Sequence, residues 1–231
     1  ASPATPIDPT TKQPSLSPDA RHRASQAVRE VLKSLGTDAI PPLCAALQAP
    51  DREVRRAAVG MLGEFPDDSR AIESVIQALK DVDTTTRSAA AEVLGKSGDR
   101  RAVAPLIEAL KHRDAMTRRS AASALGQLSD PRAVGPLIEA LQDAAPLTRV
   151  SVALALGSLG DPRAIRPLME ALKDQGRDVK WAAGFALDRL NAQGSTEQLV
   201  ARLAEPDPQT RALAAEALTK MRDARVIEPA I

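Results

Sequence analysis

Counting along this chain in steps of thirty-one residues returns nearly the same residues each time, and no other feature restricts the fold as much. The strings "RRAVAPLIEALKHRDAMTRRSAASALGQLSD" (100–130), "PRAVGPLIEALQDAAPLTRVSVALALGSLGD" (131–161) and "PRAIRPLMEALKDQGRDVKWAAGFALDRLNA" (162–192) align without a gap. The segments starting at Ser69 and at Gln193 keep the spacing, and a unit from Thr37 fits with one extra residue near Pro66. Six full repeats result, and "ARVIEPAI" begins a truncated seventh. A unit this short cannot bury an apolar face alone, so neighbours must stack into one continuous core.

Each unit reads as two helices. The first, "PRAVGPLIEALQD", opens on Asp130 as N-cap with Pro131 at the first helical position. Its Val134, Leu137, Ile138 and Leu141 fall at helical spacing. The second begins at Asp51, Asp83, Asp114 and Asp207, each an N-cap four residues before a repeated Arg. Aromatic residues make up 1% of the chain and the apolar content is mostly Ala, Leu, Val and Ile, which suits closely packed helices rather than sheet. The expected architecture is therefore all-α, a right-handed α-solenoid over residues 37–231. Residues 20–36, with Ala24, Val28, Val31, Leu32 and Leu35 at helical spacing, read as a capping helix. Residues 1–19, rich in Pro, Ser and Thr, read as a flexible leader that either follows a removed signal peptide or serves as a linker.

The pattern "DPRAVGPLIEALQD…TRVSVALALGSLGD" resembles the HEAT-like repeats first associated with phycobilisome lyases, and artificial scaffolds built from that repeat. The resemblance implies first helices on the convex side of the solenoid and second helices on the concave side. It implies no single activity, because one fold serves many roles.

Taking Thr117 as position zero of a second helix, Ala121, Ala124, Leu125 and Leu128 cluster on one face. Positions +2 and +6 point the other way. They hold Arg56 and Gly60, then Ser88 and Glu92, then Arg119 and Ser123. The next two repeats break this polar pattern with Val150 and Leu154, then Trp181 and Phe185, before Ala212 and Glu216. The single tryptophan and one of two phenylalanines thus stand where stacking does not need them. The expected function is a non-catalytic scaffold that holds a protein or peptide in its concave groove. Val150, Leu154, Trp181 and Phe185 are its anchors, with Leu213 on their flank. Arg119, Ser120, Ser151 and Arg189 give polar orientation. Burying both rings completely has a gross value of roughly 8–12 kcal/mol. The competing reading packs Trp181 against a neighbouring second helix or beneath the irregular turn "DQGRD". Ala145 and Gly176 also replace the capping Asp in these two repeats.

Chemistry is sparse elsewhere. His22 and His112 have no metal-ligand spacing and are expected on the surface, and Cys44 falls in a first-helix core stripe as a small buried residue. No catalytic residue, metal or cofactor site emerges, and no stretch is apolar enough to span a membrane. The resemblance leaves open a lyase-like or chaperone-like handling of a bilin or other prosthetic group. Arg55, Arg87, Arg118, Arg149, Lys180 and Arg211 form a basic ladder of the kind that neutralises phosphates. A net charge of +1 argues against nucleic acid as partner, and each ladder residue has a capping Asp of its own or the next unit in reach.

Overall fold

The computed structural model describes residues 26–27 and 30–192, and residues 200, 203–204, 211, 215 and 219 singly beyond them. Every regular element among these residues is helical. Five first helices, α1 (Ile40–Ala46), α3 (Ser69–Ala78), α5 (Val103–Ala109), α7 (Val134–Ala140) and α9 (Ile165–Ala171), alternate with five second helices. These are α2 (Arg52–Leu62), α4 (Thr84–Ser97), α6 (Ala115–Leu128), α8 (Pro146–Leu159) and α10 (Arg177–Ala192).

The first helices do not start as the sequence suggests. Asp130 caps a 3-10 turn at Pro131–Ala133, accepting the Arg132 N–H, and the α-helix begins only at Val134. The same division recurs at Arg100–Ala102 and Pro162–Ala164. The cause is the repeated proline. Pro105, Pro136 and Pro167 each lie two residues into the α segment. Their rings would collide with the carbonyl four residues back if α geometry started earlier. There the missing N–H costs nothing, since the first turn of a helix has no partners for its donors.

The second helices start as expected where Asp is present. Asp51, Asp83 and Asp114 accept N–H groups from Glu53, Thr86 and Thr117. Ala145 makes no such bond. Asp207 lies outside the described residues, as do Leu213 and His22. Of the expected capping helix, residues 26–27 and 30–35 are helical; Leu32 is buried, but Val31 and Leu35 are exposed.

Successive second helices pack directly on one another from α2 to α10. Bare backbone makes this possible: a Cβ on Gly126 would lie 2.8 Å from the Ala155 Cα, and one on Gly157 2.7 Å from the Ala186 Cα. Beyond α1 and α3, first helices reach the next repeat mainly through its 3-10 turn. A layer that closes up on one side and spreads on the other curves towards the tight side, so the second helices form the inner surface. Between the layers runs one core, including Leu94, Leu106, Leu125, Leu137, Leu156 and Leu168, all fully buried. The buried stripe of the second helices is wider than its sequence pattern suggests, for Ala91, Ala122 and Ala153 at position +5 also lie inside.

Candidate functional site

On the inner layer, the outward rows of α2, α4 and α6 are polar and α2 and α4 neutralise their own charges. Arg56 is bound to Glu53 at 2.6 Å, and Lys96 to Glu92 at 2.6 Å. On α8 and α10 the surface turns apolar. Trp181 is 55% exposed and Phe185 43% exposed, and their rings stack with centroids 5.4 Å apart and planes 13° from parallel. Four-residue spacing puts the two side chains one turn apart on the same face, and that spacing brings the rings together. The indole N–H of Trp181 has no hydrogen-bond partner among the described residues.

The other anchors are less free. Val150 and Leu154 are half-buried and pack partly against the core, while Ser151 and Ser120 are also half-buried. Arg119 and Arg189 are exposed. The sequence pattern missed Leu147, which is 55% exposed one turn before Val150, and Met116, 49% exposed in the corresponding place on α6. A third row at position −1 would have revealed both. The resulting strip follows Leu147, Val150 and Leu154 along α8 and continues onto the ring pair of α10. A Cβ on Gly184 would face the Leu172 side chain, 3.9 Å away.

Four members of the basic ladder, Arg55, Arg87, Arg118 and Arg149, join repeats. Arg55 clamps Asp81 with two bonds of 2.7 and 3.0 Å, and Arg149 clamps Asp174 with bonds of 2.7 and 2.9 Å. Arg118 holds Asp143 in the same way. In each case the remaining guanidinium nitrogen donates to two carbonyls of the Arg's own interhelix turn, such as Ala49 and Pro50 for Arg55. Each Arg therefore closes its own turn and ties it to the next repeat. For these three the partners correct the sequence expectation, since Asp81, Asp143 and Asp174 stand two residues before the capping position rather than at it; Arg87 does reach a capping Asp of the next unit, Asp114, at 3.3 Å. The Arg118 hydrogen bond holds the Asp143 carboxyl below the ordinary range, and Arg149 does the same for Asp174.

His112 occupies the same repeat position, and here too the expectation fails. It is half-buried rather than on the surface, and its Nδ1 accepts the Asp114 N–H at 3.0 Å. The carboxylates of Asp81, Asp143 and Asp174 accept the matching N–H groups of Asp83, Ala145 and Gly176. An imidazole cannot also bind a guanidinium, so Arg87 turns to Thr84, Thr117 and Asp114. Lys180 is exposed. Cys44 differs as well: it is half-buried, with its sulfur 3.0 Å from the Ser74 hydroxyl.

Two shallow grooves, about 360 and 250 Å³ in volume, lie at the turns between repeats and are lined by the Arg149–Asp174 pair and by Ile107, Pro136 and Gln142. Neither touches the ring pair. No described helix is long and apolar enough to cross a membrane.

Comparison with known proteins agrees with the repeat architecture. No curated protein sequence matches the chain. Among solved structures, it is similar to the complex of CpcE and CpcF of phycocyanin lyase from Nostoc sp. PCC7120. That match has 27% identity and a TM-score of 0.58, covering 93% of this chain and 80% of the other. YIBA_ECOLI matches at 21% identity and a TM-score of 0.53, over 92% of this chain and 78% of its own. A chain of the Kap95p–RanGDP structure matches at 14% identity and a TM-score of 0.54, over 94% of this chain and 35% of its own. The HEAT repeats family matches residues 14–94, 40–115, 103–188 and 167–231, nearly the whole length, and the chain belongs to the HEAT-repeat family.

Proposed function

We propose that this protein is a non-catalytic scaffold that docks a protein or peptide on its inner surface across α8 and α10. The observation that carries this reading is the stacked Trp181–Phe185 pair, about half exposed on a layer whose packing does not require it. Exposed Leu147 extends the apolar surface, and the free indole N–H supplies one directional bond to a partner carbonyl. Covering the exposed parts of both rings would remove on the order of 200 Å² from water, a gross gain of about 5 kcal/mol. That is less than full burial would yield, because the rings already cover each other. Association costs reduce it further, so neighbouring contacts must contribute.

The test compares the wild type with a Trp181→Ala, Phe185→Ala double variant. A protein captured by the wild type is identified, purified and titrated against both. Loss of binding with a melting temperature within a few degrees of wild type is the expected result. Retained binding, or a large drop in melting temperature, rejects the ring pair as the docking site.

A second reading draws on the similarity to the phycocyanin lyase complex: handling of a bilin or another prosthetic group, for which the flat apolar slab would serve as a platform. An absorbance change on mixing with a tetrapyrrole, lost in the same double variant, supports it. Nucleic acid is the least favoured partner, because Arg55, Arg118 and Arg149 are already paired with carboxylates.

A further inference from the structure

The apolar strip ends at a cation without a counter-charge. Arg56 and Arg119 occupy the same repeat position on α2 and α6. On α2, Glu53 stands three residues before the arginine and binds it. On α6 that place is taken by Met116, which is exposed and cannot accept. Arg119 is exposed and makes no ion pair or side-chain hydrogen bond among the described residues. On α4, the neighbouring Glu92 is engaged with Lys96. Arg56 and Lys96 are thus neutralised within their own helices, whereas Arg119 presents an unpaired guanidinium on the helix that precedes Leu147 and Val150.

We infer that the docked partner is an acidic peptide whose carboxylate pairs with Arg119 while its apolar side chains cover Leu147 and the Trp181–Phe185 pair. This rests on the docking reading above and adds the partner's chemistry. Guanidinium and carboxylate match as a two-pronged pair, which fixes direction and register as well as adding attraction. Geometry sets the spacing. α6 and α10 are two helix-to-helix steps apart, about 16–20 Å. An extended peptide crosses that distance in about five or six residues. Its acidic residue should therefore stand that far from the apolar residue seated on the rings.

The experiment is selection of short random peptides displayed on phage against the immobilised full chain, repeated with Arg119→Glu and with the Trp181→Ala, Phe185→Ala variant. Arg119 is a surface side chain, so its reversal leaves folding intact, which circular dichroism verifies. The wild type should enrich peptides with Asp or Glu at the stated spacing from an aromatic or aliphatic residue. Against Arg119→Glu those peptides should bind about three- to tenfold more weakly, and Lys- or Arg-bearing peptides should replace them. Enrichment without an acidic preference, but lost in the ring variant, overturns the charge pairing and leaves the docking reading standing. Peptides indifferent to the ring variant, or no enrichment at all, overturn both.

Discussion

Gly157→Ala tests the packing that turns the second helices into the inner surface. Alanine is the better helix former by about 0.8–1.0 kcal/mol, so in an open helix the change stabilises. At Gly157 the new Cβ would lie 2.7 Å from the Ala186 Cα, 2.9 Å from its Cβ and 3.3 Å from its carbonyl oxygen. These are mostly backbone atoms of a buried helix and cannot rotate away. α8 and α10 must separate by about 1 Å, and overpacking of this kind costs about 1–3 kcal/mol. The net effect is a loss of up to about 2 kcal/mol. Gly60→Ala is the control, because nothing lies within 4 Å of the Cβ it would add at this exposed position of α2. It should gain up to about 1 kcal/mol. Thermal melting of both variants reads the contrast, at about 2–4 °C per kcal/mol for a chain of this size. Hydrogen exchange should show faster opening along α8 and α10 in Gly157→Ala alone. If Gly157→Ala raises the melting temperature as Gly60→Ala does, the helices are not in backbone contact and the argument for a closed inner layer fails.

Ala145→Asp restores a cap that α8 lacks and should stabilise by about 1 kcal/mol, seen as a higher urea midpoint; no change would mean Pro146 already compensates in full. His112→Asp supplies Arg87, which now has a single 3.3 Å bond to Asp114, with the two-pronged carboxylate that Arg55, Arg118 and Arg149 have, and should add about 0.5–1 kcal/mol, measured by melting; a loss would show that the imidazole packs better than the ion pair. Acid should destabilise. Arg70 holds Asp68 at a pKa of about 2, and Arg132 holds Asp130 at about 2. The folded values lie below the ordinary carboxylate pKa of about 4, so their stabilisation is complete above that pH and disappears as pH falls towards 2. Melting temperature against pH should be flat near neutrality and fall through that window, less steeply in Asp130→Asn; an identical slope in the variant would remove Asp130 from the account.

The parts of this architecture visible in the sequence are those fixed within one repeat. Asp83 and Asp114 betray the second-helix starts because an N-cap acts on the next three residues. The phase of Trp181 and Phe185 follows from 3.6 residues per turn. What escaped depends on how one repeat meets the next. Arg55 reaches Asp81 across twenty-six positions, and only the stacking offset decides that the carboxylate two residues before the cap is the partner. The same holds for His112, whose role emerges only when it is superposed on Asp81, Asp143 and Asp174. Val150 and Leu154 are half-buried because apolar residues at the edge of the outward face also reach the core, which their repeat position alone does not reveal.

The apolar surface also coincides with relaxed stacking rules, and this bears on its purpose. Gly95, Gly126 and Gly157 let each second helix meet the next at backbone distance, but the same position on α10 is Asp188, which is exposed. The cap is missing at Ala145, and Gly176 stands in its place before α10. A repeat optimised only for stacking would retain Gly and Asp at these positions, as the preceding repeats do. Two repeats give up a cap, and one of them also gives up the close-approach glycine, while two aromatic rings are added to the solvent face; such local departures are expected where a surface serves something other than stacking. Exposed rings lower solubility and contribute little to a helix that is already buried on its other side. On the docking reading proposed above the compensating gain comes from what the rings touch, and the ring pair, not the better-formed ladder of ion pairs, is the place to look for a partner.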